Sequence, residues 1–430
     1  MQKVFIASIS IVILILIGAG VYWYVNKDIV SQLPATTEGE TRDPFVPLNR
    51  NGITAENPNT PTNQNENTEP TTPSNNASFK MPKLRQLSNT PVAGMYASTT
   101  KIRDLNFSST TIEKTIVRFV DRGTGHIYEA NDSDLNIEKL SNTTLPKIYE
   151  AFWNKNLTAM VVRYLKDNTD MITNFYAEVR SNPNSTASST TSFEVKGKYL
   201  SPNINQVAVS PEGNRIFTWN IENDSGVGYL SSFDEKGKTK IIDTPLTQMN
   251  IDWPATSTVT LTTRGSGFSL GYMYAINTKN ASTRKLFGGI RGISAKMSRD
   301  GKNVIYSTGG NNLTLGLFNT NKSEFTEVMF NTIADKCVWS SIRTNEAYCA
   351  VPNETPAGVY PDDWYKGKIL FTDKIWHLDT TTGEVHLLAN LLDLSNKLID
   401  ATELVLDPKE NYLYFINKRD LTLWALDLNQ

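Results

Sequence analysis

From residue 81 onward the apolar residues fall in short runs, alternating with polar positions and broken by tight polar turns. AVSPEGNRIFTW (Ala208 to Trp219), AKMSRDGKNVIYS (Ala295 to Ser307) and LVLDPKENYLYFI (Leu404 to Ile416) share one layout: a short apolar strand, a polar turn, and a second strand rich in β-branched or aromatic residues. The period of two marks strands, and the Pro, Gly, Asp and Asn between them mark hairpin turns. Looser copies start at Ala151, Ile251 and Val338. Each is followed by a second hairpin, as in YLSSFDEKGKTKII (Tyr229 to Ile242) and IWHLDTTTGEVHLL (Ile375 to Leu388).

Two hairpins make a four-stranded unit. Ser210 and Ser298 are 88 residues apart with the Trp253 copy between them, which gives a unit of about 40 to 50 residues, the length of a propeller blade. Blades are expected near 92–140, 148–196, 206–243, 249–287, 293–330 and 336–390, with a seventh from Ala401 that lacks one strand. KLRQLS (Lys83 to Ser88) is placed to supply it and close the ring, which leaves no long edge unpaired. The expected fold is therefore an all-β propeller of four-stranded blades over residues 81–430. Seven is the count the spacing favours; six and eight stay open because the Trp153 and Trp253 copies depart most from the pattern.

SPEGNRIF, SRDGKNVIY and DPKENYLYF, with the LDTTTGE hairpin, resemble the SPDG-type turn and strand of TolB-like and WD40-like propellers. The resemblance implies architecture over residues 84–430. Its motifs encode a turn and specify no chemistry, and the α/β domain that precedes the blades of TolB is missing, so no role in the Tol system follows.

The N-terminus breaks the pattern. Val4 to Val25 carry no charge, long enough for a helix to cross a bilayer core, with Tyr22, Trp23 and Tyr24 at one end and Lys3 before the other. Residues 1–3 are expected in the cytoplasm, 4–25 as an uncleaved transmembrane signal anchor, and the C-terminal domain outside the cytoplasm. Residues 26–80 are rich in Pro, Thr and Asn and poor in aromatics, the composition of a disordered linker.

Charge removes one class of partner. Lys+Arg 42 against Asp+Glu 44 gives a net charge of -2, with no basic field for nucleic-acid phosphates. The membrane and a protein, peptide or glycan ligand are the partners expected, and no cofactor is.

The largest departure from the repeat is PNETPAGVYPDDWYKGKILF (Pro352 to Phe371), between the second and third strands of blade six. Such connections open at the same end of the channel as the blade-to-blade crossovers, which makes it the ligand-binding candidate. Tyr360, Trp364 and Tyr365 would stack on a sugar or anchor a peptide, and Asp362, Asp363 and Lys366 would orient it. The alternative is a loop that covers the apolar rim of blade six.

Cys337 and Cys349 fall one residue short of opposition in a single hairpin of blade six, so a small bulge would bring them to disulfide range. His377 and His386, with Asp379 and Glu384, share one face of the next hairpin and are candidate metal ligands. Equivalent positions elsewhere, such as Ser232 and Ala275, read instead as variable hairpin surface. GFSLG (Gly267 to Gly271) matches a hydrolase elbow, but no helix is expected after Ser269.

Three functional expectations follow. The first is a membrane-anchored, extracytoplasmic, non-enzymatic scaffold that binds a protein, peptide or envelope glycan. The second is an envelope hydrolase or lyase using carboxylates at the channel mouth, Asp362 and Asp363 being nearest. The third is a structural component of a surface or secretion assembly.

Overall fold

The computed structural model describes residues 81–430 except 104–110, 133–135, 167–170 and 182–192. The expected N-terminal segment, anchor and linker lie outside the described residues. Among the described residues the strands form seven four-stranded antiparallel sheets, and within each the strands pair in chain order. The exception is the last blade, whose outer strand Leu84–Gln86 pairs with Leu423–Asp427 in the register Leu84↔Leu426, Arg85↔Ala425, Gln86↔Trp424. The chain is thus a seven-bladed propeller closed by strands from both ends of the domain. Leu87 N donating to Leu423 O (2.7 Å) and Asp427 N to Lys83 O (2.7 Å) extend the seam at each end of the three paired residues.

In blades two, three, five and seven the turn after the inner strand shows how the repeat folds. Its first residue carries a side-chain oxygen that accepts backbone N–H groups further round the turn: Ser210 Oγ from Asn214 and Arg215, Ser298 Oγ from Asn303, Asp407 from Lys409 and Tyr412, Asn154 from Thr158 and Ala159. The fourth residue is left-handed, with φ +66° at Gly213 and +71° at Gly301. Glycine suits that position because it has no Cβ to clash. Blade seven puts Glu410 there at φ +55°. Its carboxylate, nearly buried, crosses to the turn of blade six and accepts from Ser340 Oγ (2.7 Å), Ser341 N (2.6 Å), Ser341 Oγ (3.0 Å) and Ile342 N (3.1 Å). A left-handed non-glycine residue costs roughly 1–2 kcal/mol, whereas each hydrogen bond to a charged group contributes about 1.5–3 kcal/mol. The contacts outweigh the strain, and the turn becomes a clamp between neighbouring blades.

The core lies between blades. Phe217 and Trp219 of blade three, both fully buried, pack on Met249, Trp253 and Val259 of blade four. Phe287 of blade four packs on Val304 and Phe318 of blade five. In blade six Cys337 and Cys349 are joined by a disulfide (Cα–Cα 4.1 Å). They sit directly opposite each other, so the expected bulge is absent: Val338 pairs with Tyr348 without a shift of register.

Replacing Glu410 with Gly relieves the backbone and leaves two Ser hydroxyls and the Ser341 N–H without their acceptor, while Ile342 N keeps only Ser340 Oγ. The expected result is a net loss of about 2 kcal/mol or more in equilibrium denaturation, with the lost hydrogen bonds exceeding the relieved strain.

Candidate functional site

The inner strands line the channel, and their sequences share a feature the turn motif hides. Counting four residues back from the turn gives Glu150, Gln206, Asn250, Ser294, Lys336 and Glu403 in blades two to seven, all polar. Two residues further on, at the same face of the strand, stand Phe152, Ala208, Asp252, Lys296, Val338 and Val405. Most of these side chains line the channel cavities. This period, legible in the chain but missed in reading it for turns, marks the channel wall.

Two cavities follow. The one at the mouth, about 360 Å³, is lined by Gln206, Asn250, Asp252, Arg264, Lys296, Asp335 and Tyr365. Asp335 accepts from Ser294 Oγ (2.8 Å) and from the Tyr365 hydroxyl, so its charge is satisfied. Burial and the Asp335 charge hold the Tyr365 hydroxyl far above the ordinary tyrosine range, so it stays a donor. The Arg264 guanidinium makes no ion pair or hydrogen bond among the described residues. Deeper in, Lys296 faces Asp252 at 3.8 Å, and that carboxylate, ahead of Asp335 and Glu403, raises the ammonium above its ordinary value.

The second cavity, about 440 Å³, lies at the waist and is lined by Tyr96, Glu150, Phe152, Trp153, Asp252, Lys296 and Glu403 among others. Glu150 pairs with the buried Arg163. Glu403 sits in a bulge between Thr402 and Val405, left-handed at φ +52°. Its side chain is exposed to the channel; enclosure by the surrounding wall, then the charge of Glu150, push its carboxyl up to about 7, against the opposing pull of Arg122 and Lys296.

The insertion after Pro352 is a folded plug. Tyr360 forms a two-way backbone bridge with Gly310 of blade five (2.8 Å each way), and Asp362 reaches blade four, accepting from Ser266 Oγ (3.1 Å) and Gly267 N (2.7 Å). Gly309 is needed here, because a Cβ on it would stand 2.1 Å from the Tyr360 carbonyl oxygen. Asp362–Tyr365 is a short helix. Asp363 accepts from Val359 N (2.9 Å) and pairs with Lys368 (3.2 Å). Tyr360 and Trp364 are 0% and 3% exposed, packed with Leu313, Ile333, Ile369 and Phe371. Their faces are covered, which corrects the expectation that they stack on a ligand. Of the six candidates, Tyr365 alone lines the mouth cavity, and Lys366 is exposed.

What holds the plug was not foreseen. Lys336, fully buried, withdraws from the channel ring through a 3₁₀ turn, Ala334–Lys336, and donates to Asp373 (2.8 Å), to Asp400 and to the Ala401 carbonyl (2.9 Å). Its ammonium lies 5.3 Å from the Trp364 ring centroid and 5.2 Å from that of Phe371. Asp400 also accepts from Trp364 Nε1 (3.0 Å) and Phe371 N (2.9 Å). Burial, with Asp400 adding to it against the pull of Lys336, pushes the Asp373 carboxyl up to about 6.

The histidine hairpin has the expected register, His377 opposite His386 with rings stacked at 6.2 Å. The four candidate ligands nevertheless do not converge. His377 Nε2 meets Glu346 at 2.7 Å, and Asp379 turns into its own hairpin to accept from Thr381 N (2.7 Å) and Asn345 (3.2 Å). Among the described residues no three His, Cys, Asp or Glu side chains stand together as a metal site. Ser269 lies in an exposed loop that leads into the strand Leu270–Asn277, without the helix an elbow needs.

Lys336→Met leaves two buried carboxylates facing each other and is expected to cost about 3–5 kcal/mol. Adding Asp373→Asn and Asp400→Asn should recover part of that, read by chemical denaturation. Asp373 also sets a pH dependence. Its folded value is raised, so its contribution is complete below 3.8 and is lost as pH rises through about 6. The stability of the wild type relative to Asp373→Asn should fall across that window and level off above it.

No protein-family model matches the sequence, and comparison with curated proteins finds no match. Solved structures with a similar fold include an oligogalacturonate lyase in complex with manganese (10% identity, 81% of this chain and 98% of that one, TM-score 0.45). They also include TolB from Acinetobacter baumannii (9%, 77% and 79%, TM-score 0.38) and an acylaminoacyl peptidase (10%, 78% and 52%, TM-score 0.45). At these values the likeness is one of fold, and the propeller assignment rests on the sheet topology.

Proposed function

We propose that this protein is a membrane-tethered, extracytoplasmic binding module whose channel mouth receives an anionic, oxygen-rich group of a peptide or envelope glycan. The observation that carries this reading is Arg264, an unpaired guanidinium on the wall of a concave polar cavity, with Lys296 beside it and Tyr365 held there by the plug. A planar cation with five donors matches a carboxylate, and the neighbouring amides and hydroxyls match sugar or peptide oxygens. Tethering by residues 4–25 through the spacer 26–80 would keep the module at a membrane.

The glycan-active reading loses the two carboxylates nominated for it, since Asp362 and Asp363 are committed to holding the plug. It survives through one other observation: Glu403, pushed up to about 7, shares a cavity with Glu150, and a carboxyl near neutrality suits acid or base work.

Arrays of acidic glycans and peptides probed with the protein should show saturable capture that Arg264→Ala weakens at least tenfold and Lys366→Ala leaves unchanged. Turnover of any captured glycan that vanishes in Glu403→Gln would replace the binding reading with the enzymatic one. Deletion of residues 4–25 should release the protein from the membrane fraction in alkaline carbonate extraction; retention there would overturn the tether.

A further inference from the structure

Resting on the binding reading of the mouth, we propose that the group received there is a sugar acid, a pyranose carrying a carboxylate, and not the free carboxylate of a peptide. The observation that carries this is a row of polar side chains in blade four. Thr260 and Thr262 belong to the strand Thr258–Thr263, and Arg264 follows it. Alternate residues of a strand share a face and stand roughly 6.5 Å apart, and all three line the mouth cavity. Across the ladder Thr260 faces Asp252 and Thr262 faces Asn250, which line it too.

The same rungs of blade three carry Phe217 opposite Ala208 and Trp219 opposite Gln206, and those two rings fill the space toward blade four. Blade four puts two threonines in their place, and a cavity stands where the rings would be. Val259 and Leu261, on the other face of the same strand, are buried against blade three, so the hydroxyls are confined to the cavity side. Thr260 and Thr262 are 2% and 3% exposed, yet neither hydroxyl is hydrogen-bonded among the described residues. Neither is sealed inside the protein as the Thr218 hydroxyl is. Valine would serve the fold at both places without leaving a donor unbonded.

The wall also decides between sugar and peptide. Besides the Tyr365 ring, its apolar members are Ile251 and Ala295, which form no pocket for a peptide side chain of the kind that anchors a peptide. Two hydroxyls and the Asn250 amide, each able to donate and accept, match the hydroxyls of a pyranose, and the Tyr365 ring offers a face for its C–H groups. Arg264, at the end of the row, is placed for a planar carboxylate, whereas the charges of Asp252 and Asp335 disfavour a phosphate or sulfate dianion.

Calorimetric titration of the full chain in detergent micelles tests this. The probes are methyl uronosides of gluco, galacto and manno configuration, the matching neutral methyl glycosides, and N-acetyl-dialanine as a peptide with a free carboxylate. One uronoside is expected to bind saturably, at least tenfold tighter than its neutral counterpart and than the peptide. Arg264→Ala should abolish the first preference. Thr260→Val with Thr262→Val should abolish the second while the thermal melt stays at or above that of the wild type, and Thr260→Ser with Thr262→Ser should retain it. Uronosides that bind no better than neutral glycosides overturn the proposal, as does a preference over the peptide that survives the two valines. Peptide binding that equals the best uronoside and depends on Arg264 overturns the sugar assignment alone and leaves the binding reading of the mouth standing. Failure of every carboxylate to bind saturably overturns both.

Discussion

The ammonium of Lys336 is the charge around which one end of this propeller is organised. A cation this deeply buried is tolerable only if carboxylates and carbonyls surround it, because its desolvation costs several kcal/mol. Asp373 at the start of a blade-six strand, Asp400 at the entry to blade seven and the Ala401 carbonyl meet that demand. Asp400 in turn fixes the Trp364 indole and the Phe371 amide, and those two rings cover the ammonium. The plug is therefore ordered from its buried side outward. Tyr365, one residue beyond Trp364, reaches the channel mouth because Trp364 is pinned.

The fold was legible because its signal is local and repeated. A polar residue that caps a turn, a left-handed residue four positions in, and alternating strands on both sides recur often enough to be seen even where single copies are poor. Closure by Lys83 to Ser88 followed from counting strands. Cross-strand opposition was legible for the same reason: His377 faces His386 because a hairpin fixes register over a few residues. Whether the side chains then converge depends on competitors outside the hairpin. Glu346, on the neighbouring strand, takes His377, and the backbone of the TTTG turn takes Asp379.

The insertion shows the opposite limit. Its place in the chain was legible, but its aromatic residues read equally as ligand platform and as core, and only long-range partners decide. Trp364 finds Asp400 36 residues on, and Asp362 finds Gly267 95 residues back. The channel wall was closer to legible than it was taken to be. Six blades carry a polar residue four positions before the turn, a pattern invisible until the blades are aligned on the turn instead of on their apolar strands.

That pattern separates charges that build the propeller from charges the architecture does not use. Arg163 with Glu150 ties two strands of blade two, and Lys336 with its two aspartates, Glu410 with the turn of blade six and Asp335 with Tyr365 are matched by partners that also join blades or fix the plug. Among the described residues, Arg264 and Glu403 have no such partner. Glu403 in addition sits in a left-handed bulge, a backbone cost with no blade-to-blade hydrogen bond to offset it, unlike the same conformation at Glu410. An apolar residue would close the ring at least as well at either position. These two unmatched charges, one at the mouth and one at the waist, are therefore places where the channel wall carries more than its own stability requires.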